Sequence, residues 1–346
     1  MNPMTMRERM LAVIQGHEHD RVPFAMYEIM FPPQQAFDLL GHGRIGIIRF
    51  CSIHRSEHPH CCFESNFFMD GPTKCQRTIL HTPKGDIEEI RVFEPQFDSS
   101  TARKHFIETP RDYEVLWSYL EDSVILDNYD RYYQDCAELG EDGFPKAEVE
   151  RTPWQQLWIE WVGLGALPLH EADWPDHVEH TIELLQRRAR QTFEIAYRSP
   201  APFIVIVDNI TAPAIGPARF QQYCVPLYDE LAGMLAERGA PLLVHMDGLL
   251  KPLWPDITRS LVGGLDSFTP TPDCDTTVAE AVTLWPDKAV DWGFEPNLYY
   301  ESAVIIIALI LMGRWLEARA KKQTSAAIKA LMGLQAKTAR VIRNGV

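Results

Sequence analysis

Phe203-Ile204-Val205-Ile206-Val207-Asp208 and Leu242-Leu243-Val244-His245-Met246-Asp247, with the 3.6-residue apolar rhythm of 217–238 between them, decide the fold. Each run holds four or five apolar residues and closes on an acid, the pattern of a strand buried on both faces. The stretch between them has the length and period of an amphipathic helix. The unit then repeats. Residues 251–261 read as a helix, 265–269 as a strand, 276–285 as a helix and 289–294 as a strand, joined by short loops. Short apolar strands alternating with helices predict right-handed βαβ units on a parallel sheet.

Working outward, the N-terminal part fits the same plan. Residues 4–15 predict a helix. Arg21-Val22-Pro23-Phe24-Ala25-Met26-Tyr27-Glu28 reads as a short buried strand ending in an acid, and 45–50 as a second strand after a glycine-rich turn. Residues 62–93 alternate β-branched and aromatic with polar residues around the turn Thr82-Pro83-Lys84-Gly85-Asp86, which predicts a β-rich insertion or flap. Thr109-Pro110-Arg111-Asp112 opens a helix through Tyr119, with a hydroxyl N-cap, proline at the first position and an acid in the first turn. Strands centred near Phe24, Ile47, Val149, Ile204, Val244, Phe268 and Val290 make seven. The expected fold is therefore an α/β, (β/α)8 TIM-type barrel truncated before its last strand.

Composition divides the chain near residue 297. All prolines, histidines and cysteines precede it. Residues 298–346 carry eight Lys and Arg against two Glu, a net +6, which leaves −15 − 6 = −21 for the rest. The expected domains are 1–297, the barrel, and 298–346, a separate basic segment. An acidic body without a basic stripe argues against a nucleic-acid partner. The seven cysteines, odd in number in a long chain, are expected as reduced thiols. Residues 1–10 lack the apolar core of a secretory signal, so a cytoplasmic location is expected.

Parallel barrels carry their chemistry at the carboxyl ends of strands. The residues in that phase are Glu28, Asp208, His245 and Asp247, expected as the catalytic set lining one cavity. Tyr27, Asn209 and Thr269 are expected as substrate contacts. His245 and Asp247, two apart on one strand, share a face and form a candidate metal pair, with zinc the ion suited to them. An acid after a strand is often only a helix N-cap, which is the reading preferred for Asp273 and Asp275. Cys61 and Cys62 with His54, His58 and His60 match no standard zinc spacing and are read as flap residues.

Met6-Arg7-Glu8-Arg9-Met10, Asp20-Arg21-Val22-Pro23, Val207-Asp208-Asn209 and Val244-His245-Met246-Asp247-Gly248 together resemble the uroporphyrinogen decarboxylase superfamily, which includes corrinoid and cobalamin methyltransferases. The resemblance covers most of 4–294. It implies a barrel acting on a tetrapyrrole-type or methyl-donor molecule, with a small molecule or a corrinoid protein as partner. The decarboxylases' arginine-bearing R-Q-A-G-R loop is replaced here by Tyr27-Glu28-Ile29-Met30-Phe31-Pro32-Pro33. Where the zinc-dependent methyltransferases carry their first cysteine, this chain has Asp247. The leading expectation is methyl transfer involving a corrinoid. The alternative is decarboxylation of a porphyrinogen-like or other carboxylated substrate, with Asp208 as the polarising acid.

Glu301-Ser302-Ala303-Val304-Ile305-Ile306, Leu311-Met312-Gly313-Arg314-Trp315-Leu316-Glu317-Ala318-Arg319-Ala320-Lys321 and Ala330-Leu331-Met332-Gly333-Leu334-Gln335-Ala336-Lys337-Thr338-Ala339-Arg340-Val341 resemble heavy-metal (copper) P-type ATPases. There the stretch is a transmembrane helix leading into the actuator domain, which implies membrane contact through 298–320. The apolar run 303–313 is shorter than the about 20 residues that span a bilayer. The motifs T-G-E, C-P-C and D-K-T-G-T are absent from the sequence, so a non-functional ATPase fragment, joined to an unrelated protein as a chimera, is expected. A third functional reading is thus a non-enzymatic, membrane-associated remnant. A long helix over 298 to about 333, outside the barrel core, and self-association through the open barrel's edges complete the expectations.

Overall fold

A computed structural model describes residues 4–94 and 99–290. The chain separates into two units, Met1–Pro296 and Asn297–Val346, and every described element belongs to the first. The end of the strand expected over 289–294, the position of an eighth strand and the helix expected from 298 lie outside the described residues.

Seven parallel strands form one sheet in sequential order: β1 (Ala25–Tyr27), β2 (Gly46–Ser52), β3 (Gly143–Val149), β4 (Ile204–Ile206), β5 (Leu242–His245), β6 (Gly264–Asp266) and β7 (Ala289–Val290). Registers run Tyr27 opposite Ile48, Ile47 opposite Gly143, Val205 opposite Glu148, Val244 opposite Leu265 and Leu265 opposite Val290. The sheet is strongly curled. On a flat sheet β1 and β6 would lie about 24 Å apart, yet the Tyr27 hydroxyl donates to Asp266 Oδ1 at 3.4 Å.

Alternation along the strands sorts the residues into two faces. Ile204, Ile206, Leu242, Val244, Ala147 and Val149 face outward into the main core beneath the helices, including Pro175–Arg198 and Val225–Ala236. Ile48, Phe144, Phe203, Val205 and Leu243 face inward and meet Met6, Met10 and Ile14 of the first helix, α1 (Met6–Ile14). This helix is held by a capping box between Thr5 and Glu8 and plugs the amino-terminal end of the sheet. The plug sits close. A Cβ at Gly46 would lie 2.3 Å from Met10 Sδ.

The flap is a four-stranded antiparallel sheet of Cys62–Asp70, Thr73–Thr82, Gly85–Glu94 and Ser99–Lys104. Its central turn is at the expected place, with Thr82 paired to Gly85. The Thr109 cap and the helix Pro110–Glu121 also form as expected, the helix closing two residues later.

Candidate functional site

Above the apolar plug the inward face turns polar. Along β3 the inward positions are Phe144, Lys146 and Glu148, so one strand carries its side of the core from the plug to the mouth. Lys146 and Asp266 are fully buried at its centre, joined by Lys146 Nζ donating to Asp266 Oδ2 at 3.0 Å. His245 Nδ1 lies 3.0 Å from the same oxygen, and His245 Nε2 faces Asp247 Oδ2 at 3.5 Å. Lys146 also reaches Glu148 Oε1 at 3.2 Å. Its ammonium lies over the Tyr27 and Phe50 rings, 5.0 and 4.7 Å from their centroids. Those rings stack 4.9 Å apart and wall one side of the mouth.

The charges are strongly coupled. Burial disfavours a charged His245, but the hydrogen bonds it donates to Asp247 and Asp266 and their negative charges outweigh it and raise its pKa to about 9. Burial likewise opposes ionisation of Asp266, and the hydrogen bond from His245 with the charge of Lys146 overrides it, lowering its pKa to about 2. Glu148 is raised, chiefly by burial. The result at neutral pH is a buried carboxylate holding an ammonium and an imidazolium. The imidazolium is 23% exposed toward the mouth.

Of the residues expected at the site, Tyr27, His245 and Asp247 assemble there. Asn209 joins them through a hydrogen bond to Asp247 and accepts Arg151 Nη2 at 3.2 Å. Three expected residues stand apart. Glu28 is one position beyond inward-facing Tyr27 and points outward, where Arg49 Nε and Nη2 donate to it at 2.6 and 2.8 Å. Asp208 shares the outward parity of Ile204 and Ile206. It is fully buried between sheet and helices, accepting from Thr152 N at 2.8 Å, Thr152 Oγ1 at 2.9 Å and the Tyr228 hydroxyl. Thr269 lies in the loop after β6 and donates to Ser267 O.

The sequence reading missed Lys146 and Asp266. For Lys146 the signal was present as Lys and Glu at alternate positions of an otherwise apolar strand, Gly143-Phe144-Pro145-Lys146-Ala147-Glu148-Val149. The strand expected over 265–269 runs past Asp266, whereas the observed strand ends at Asp266 and Ser267 turns with φ of 56°.

Of the candidate metal pair, His245 Nε2 and Asp247 Oδ2 lie 3.5 Å apart, and Asp266, the acid nearest to them, is already engaged by Lys146. Among the described residues no group of three or more His, Cys, Asp or Glu is arranged to hold a metal. In the flap cluster His60 pairs with Asp122 at 2.7 Å, Cys61 is buried and Cys62 exposed.

No family model matches the chain. It is similar to the probable copper-transporting ATPase PacS of Synechococcus elongatus, at 36% identity over 207 residues that cover 55% of this chain and 25% of that protein. PacS of Synechocystis sp. is 51% identical over 63 residues, covering 18% and 8%. Copper-transporting ATPase 1 of Rhizobium meliloti is 67% identical over 45 residues, covering 13% and 5%. Copper-transporting P-type ATPases are therefore homologous to parts of this chain, which spans a quarter or less of the length of these curated relatives. The expected segment 298–346 has 346 − 298 + 1 = 49 residues. The match covering 55% of the chain is longer than this segment and extends beyond it.

Proposed function

We propose that residues 4–290 belong to a (β/α)8-type enzyme of the uroporphyrinogen decarboxylase superfamily, and that it transfers a methyl group from a small organic substrate. The observation that carries this reading is His245, protonated at neutral pH and open to the mouth between Asp247 and Asp266. When a methyl group leaves a heteroatom, the electron pair of the broken bond stays on that heteroatom and a proton must neutralise it. His245 Nε2–H is the donor placed for this. Asp266 fixes the ring through Nδ1 and stabilises the imidazolium, and Lys146 holds Asp266 ionised. A proton taken up from solvent recharges the neutral imidazole as the product departs.

The mouth favours methyl transfer over decarboxylation of a polycarboxylate. Asp247 and Glu160 are 42% and 39% exposed there, and Arg151 is already engaged by Glu160 and Asn209. A corrinoid, where present, supplies the methyl acceptor. The exposed apolar side chains of Ile29, Met30 and Phe31, directly after β1, suit the face of such a macrocycle or the protein carrying it.

The test follows 13C-methyl label from a panel of methylated amines and phenyl ethers to a reduced corrinoid. The wild-type chain is expected to transfer label and His245→Gln to lose at least about a hundredfold in rate. Release of carbon dioxide from carboxylated substrates without methyl transfer would replace this reading with decarboxylation. The similarity to copper ATPases supports a second, separate role for the C-terminal part, contact with a membrane. Among the described residues no helix is long and apolar enough to cross one.

A further inference from the structure

The flap has two edges, and they are built differently. The strand on one side, Ser99–Lys104, is six residues long, ends in Arg103 and Lys104 and meets its neighbour across a register shift at Ile90 and Arg91. Short length, cations and irregular pairing are the means by which sheet edges avoid joining other strands. The strand on the other side, Cys62–Asp70, has none of them. It runs nine residues with every residue exposed, holds no Lys, Arg or Pro, and pairs with Thr73–Thr82 in unbroken register. Among the described residues no strand lies along its outer side. Phe63, Phe67 and Met69 project to one face and Phe68 to the other, and Phe67 and Met69 are 60% and 62% exposed. A partner resting on one face would leave the apolar side chains of the other in water, whereas a strand added at the edge lies beside both.

We infer that Cys62–Asp70 pairs antiparallel with the same strand of a second copy of this chain, joining two four-stranded flaps into one sheet across a two-fold axis. The turn Gly71-Pro72 fixes which backbone groups are free. The alternative pairing of its flanking residues would need an N–H on Pro72, which proline lacks, so Asp70 and Thr73 exchange both hydrogen bonds. The even positions back to Cys62 then bond inward to Thr73–Thr82, and the N–H and C=O of Phe63, Ser65, Phe67 and Met69 point to the open edge. A two-fold axis that matches these groups and uses the whole strand passes through Asn66. It sets Phe63 opposite Met69 and Ser65 opposite Phe67 as hydrogen-bonded pairs, with Asn66 opposite itself. No acid faces an acid: Glu64 meets Phe68, and Asp70, already held by Arg103 at 2.6 Å, meets Cys62. The strand is thus its own complement, and an interface of this kind closes at two copies. The net charge of −15 repels two copies at long range. Salt is therefore expected to strengthen the pairing, the reverse of its effect on a basic peptide seated at the same acidic strand.

The test uses the full chain, by sedimentation at low and high salt and by non-reducing electrophoresis after mild oxidation. The wild type is expected to form a dimer whose dissociation constant falls with added salt. Ser65→Pro removes an N–H from the open edge and none from the pairing with Thr73–Thr82. It is expected to weaken association at least about tenfold and to leave the far-ultraviolet circular dichroism unchanged. Phe67→Glu puts a charge on the edge where Lys74, 4.4 Å from the Phe67 ring centroid, compensates it within its own chain. It is expected to weaken association likewise, and carries the test should Ser65→Pro not fold. Asn66→Cys is expected to form a disulfide between copies, because directly opposite residues of a non-hydrogen-bonded pair lie about 4.5 Å apart at Cα, within disulfide reach. Cys62, about 27 Å from its counterpart in this register, is expected to form none in the wild type. A monomeric wild type, a dimer that the folded edge variants leave intact or that salt dissociates, or absence of the Asn66→Cys disulfide overturns the proposal. So does a Cys62 disulfide between wild-type copies.

Discussion

Asp266 is the residue on which the site's charges turn, since both the buried ammonium and the imidazolium rest on one of its oxygens. Removing one partner of a buried charge set costs far more than the set contributes, because it strands the others. Asp266→Ala is expected to destabilise the chain by about 3–5 kcal/mol in urea unfolding. Asp247→Ala, at a position 42% exposed, should cost much less. The pH dependence follows from the two displaced pKa values. His245, raised from 6.5 to about 9, contributes stability that is complete below 6.5 and is lost as the pH rises through about 9. Asp266, lowered from 3.8 to about 2, contributes stability above 3.8 that is lost as the pH falls through about 2. NMR titration of the His245 ring should find its midpoint near 9 in the wild type and lower in Asp247→Asn. An unchanged midpoint in that variant would remove Asp247 from the account.

At the scale of elements, the sequence shows where strands lie more readily than which way their residues point. The apolar runs at 204–206 and 242–245, the Thr82 turn and the Thr109 cap were legible because each has a local cause, in periodicity, turn chemistry or capping. Parity was not legible from a strand's last residue alone. Glu28 and Asp208 both follow apolar runs, yet each sits one step from an inward position, at Tyr27 and Asn209, and a one-residue step exchanges the faces. Counting back from the plug would have resolved it. Phe144 and Phe203 contact α1, so Lys146, Glu148, Val205 and Asn209 must share their face. The plug itself is testable. Met10 is buried against β2 with Gly46 beneath its sulfur, and Met10→Ala is expected to cost about 2–5 kcal/mol by the cavity it opens. A loss under about 1 kcal/mol would mean that the first helix only rests on the sheet.

For the whole molecule the question is whether one chain holds two independent histories. The composition changes from net −21 to net +6 across residue 297, every proline, histidine and cysteine lies before that point, and similarity to copper ATPases reaches 67% identity over 45 residues. A single domain seldom shows such a break, because one core and one surface serve the whole of it. The apolar run 303–313 followed by Arg314, Arg319, Lys321 and Lys322 is suited to a membrane interface, where cations flank an apolar stretch. In water that run is an aggregation hazard. Ending the chain at residue 297 is therefore expected to raise the yield of soluble protein while leaving the melting temperature within about 2 °C. The titration of His245 should also be unchanged, since its partners Asp247, Asp266 and Lys146 all lie well before the cut. Two measurements on the paired chains decide it, thermal unfolding by circular dichroism and the His245 midpoint by NMR. A fall of several degrees on truncation would show that residues 298–346 share the core of the first unit, and the reading of two joined proteins would fail.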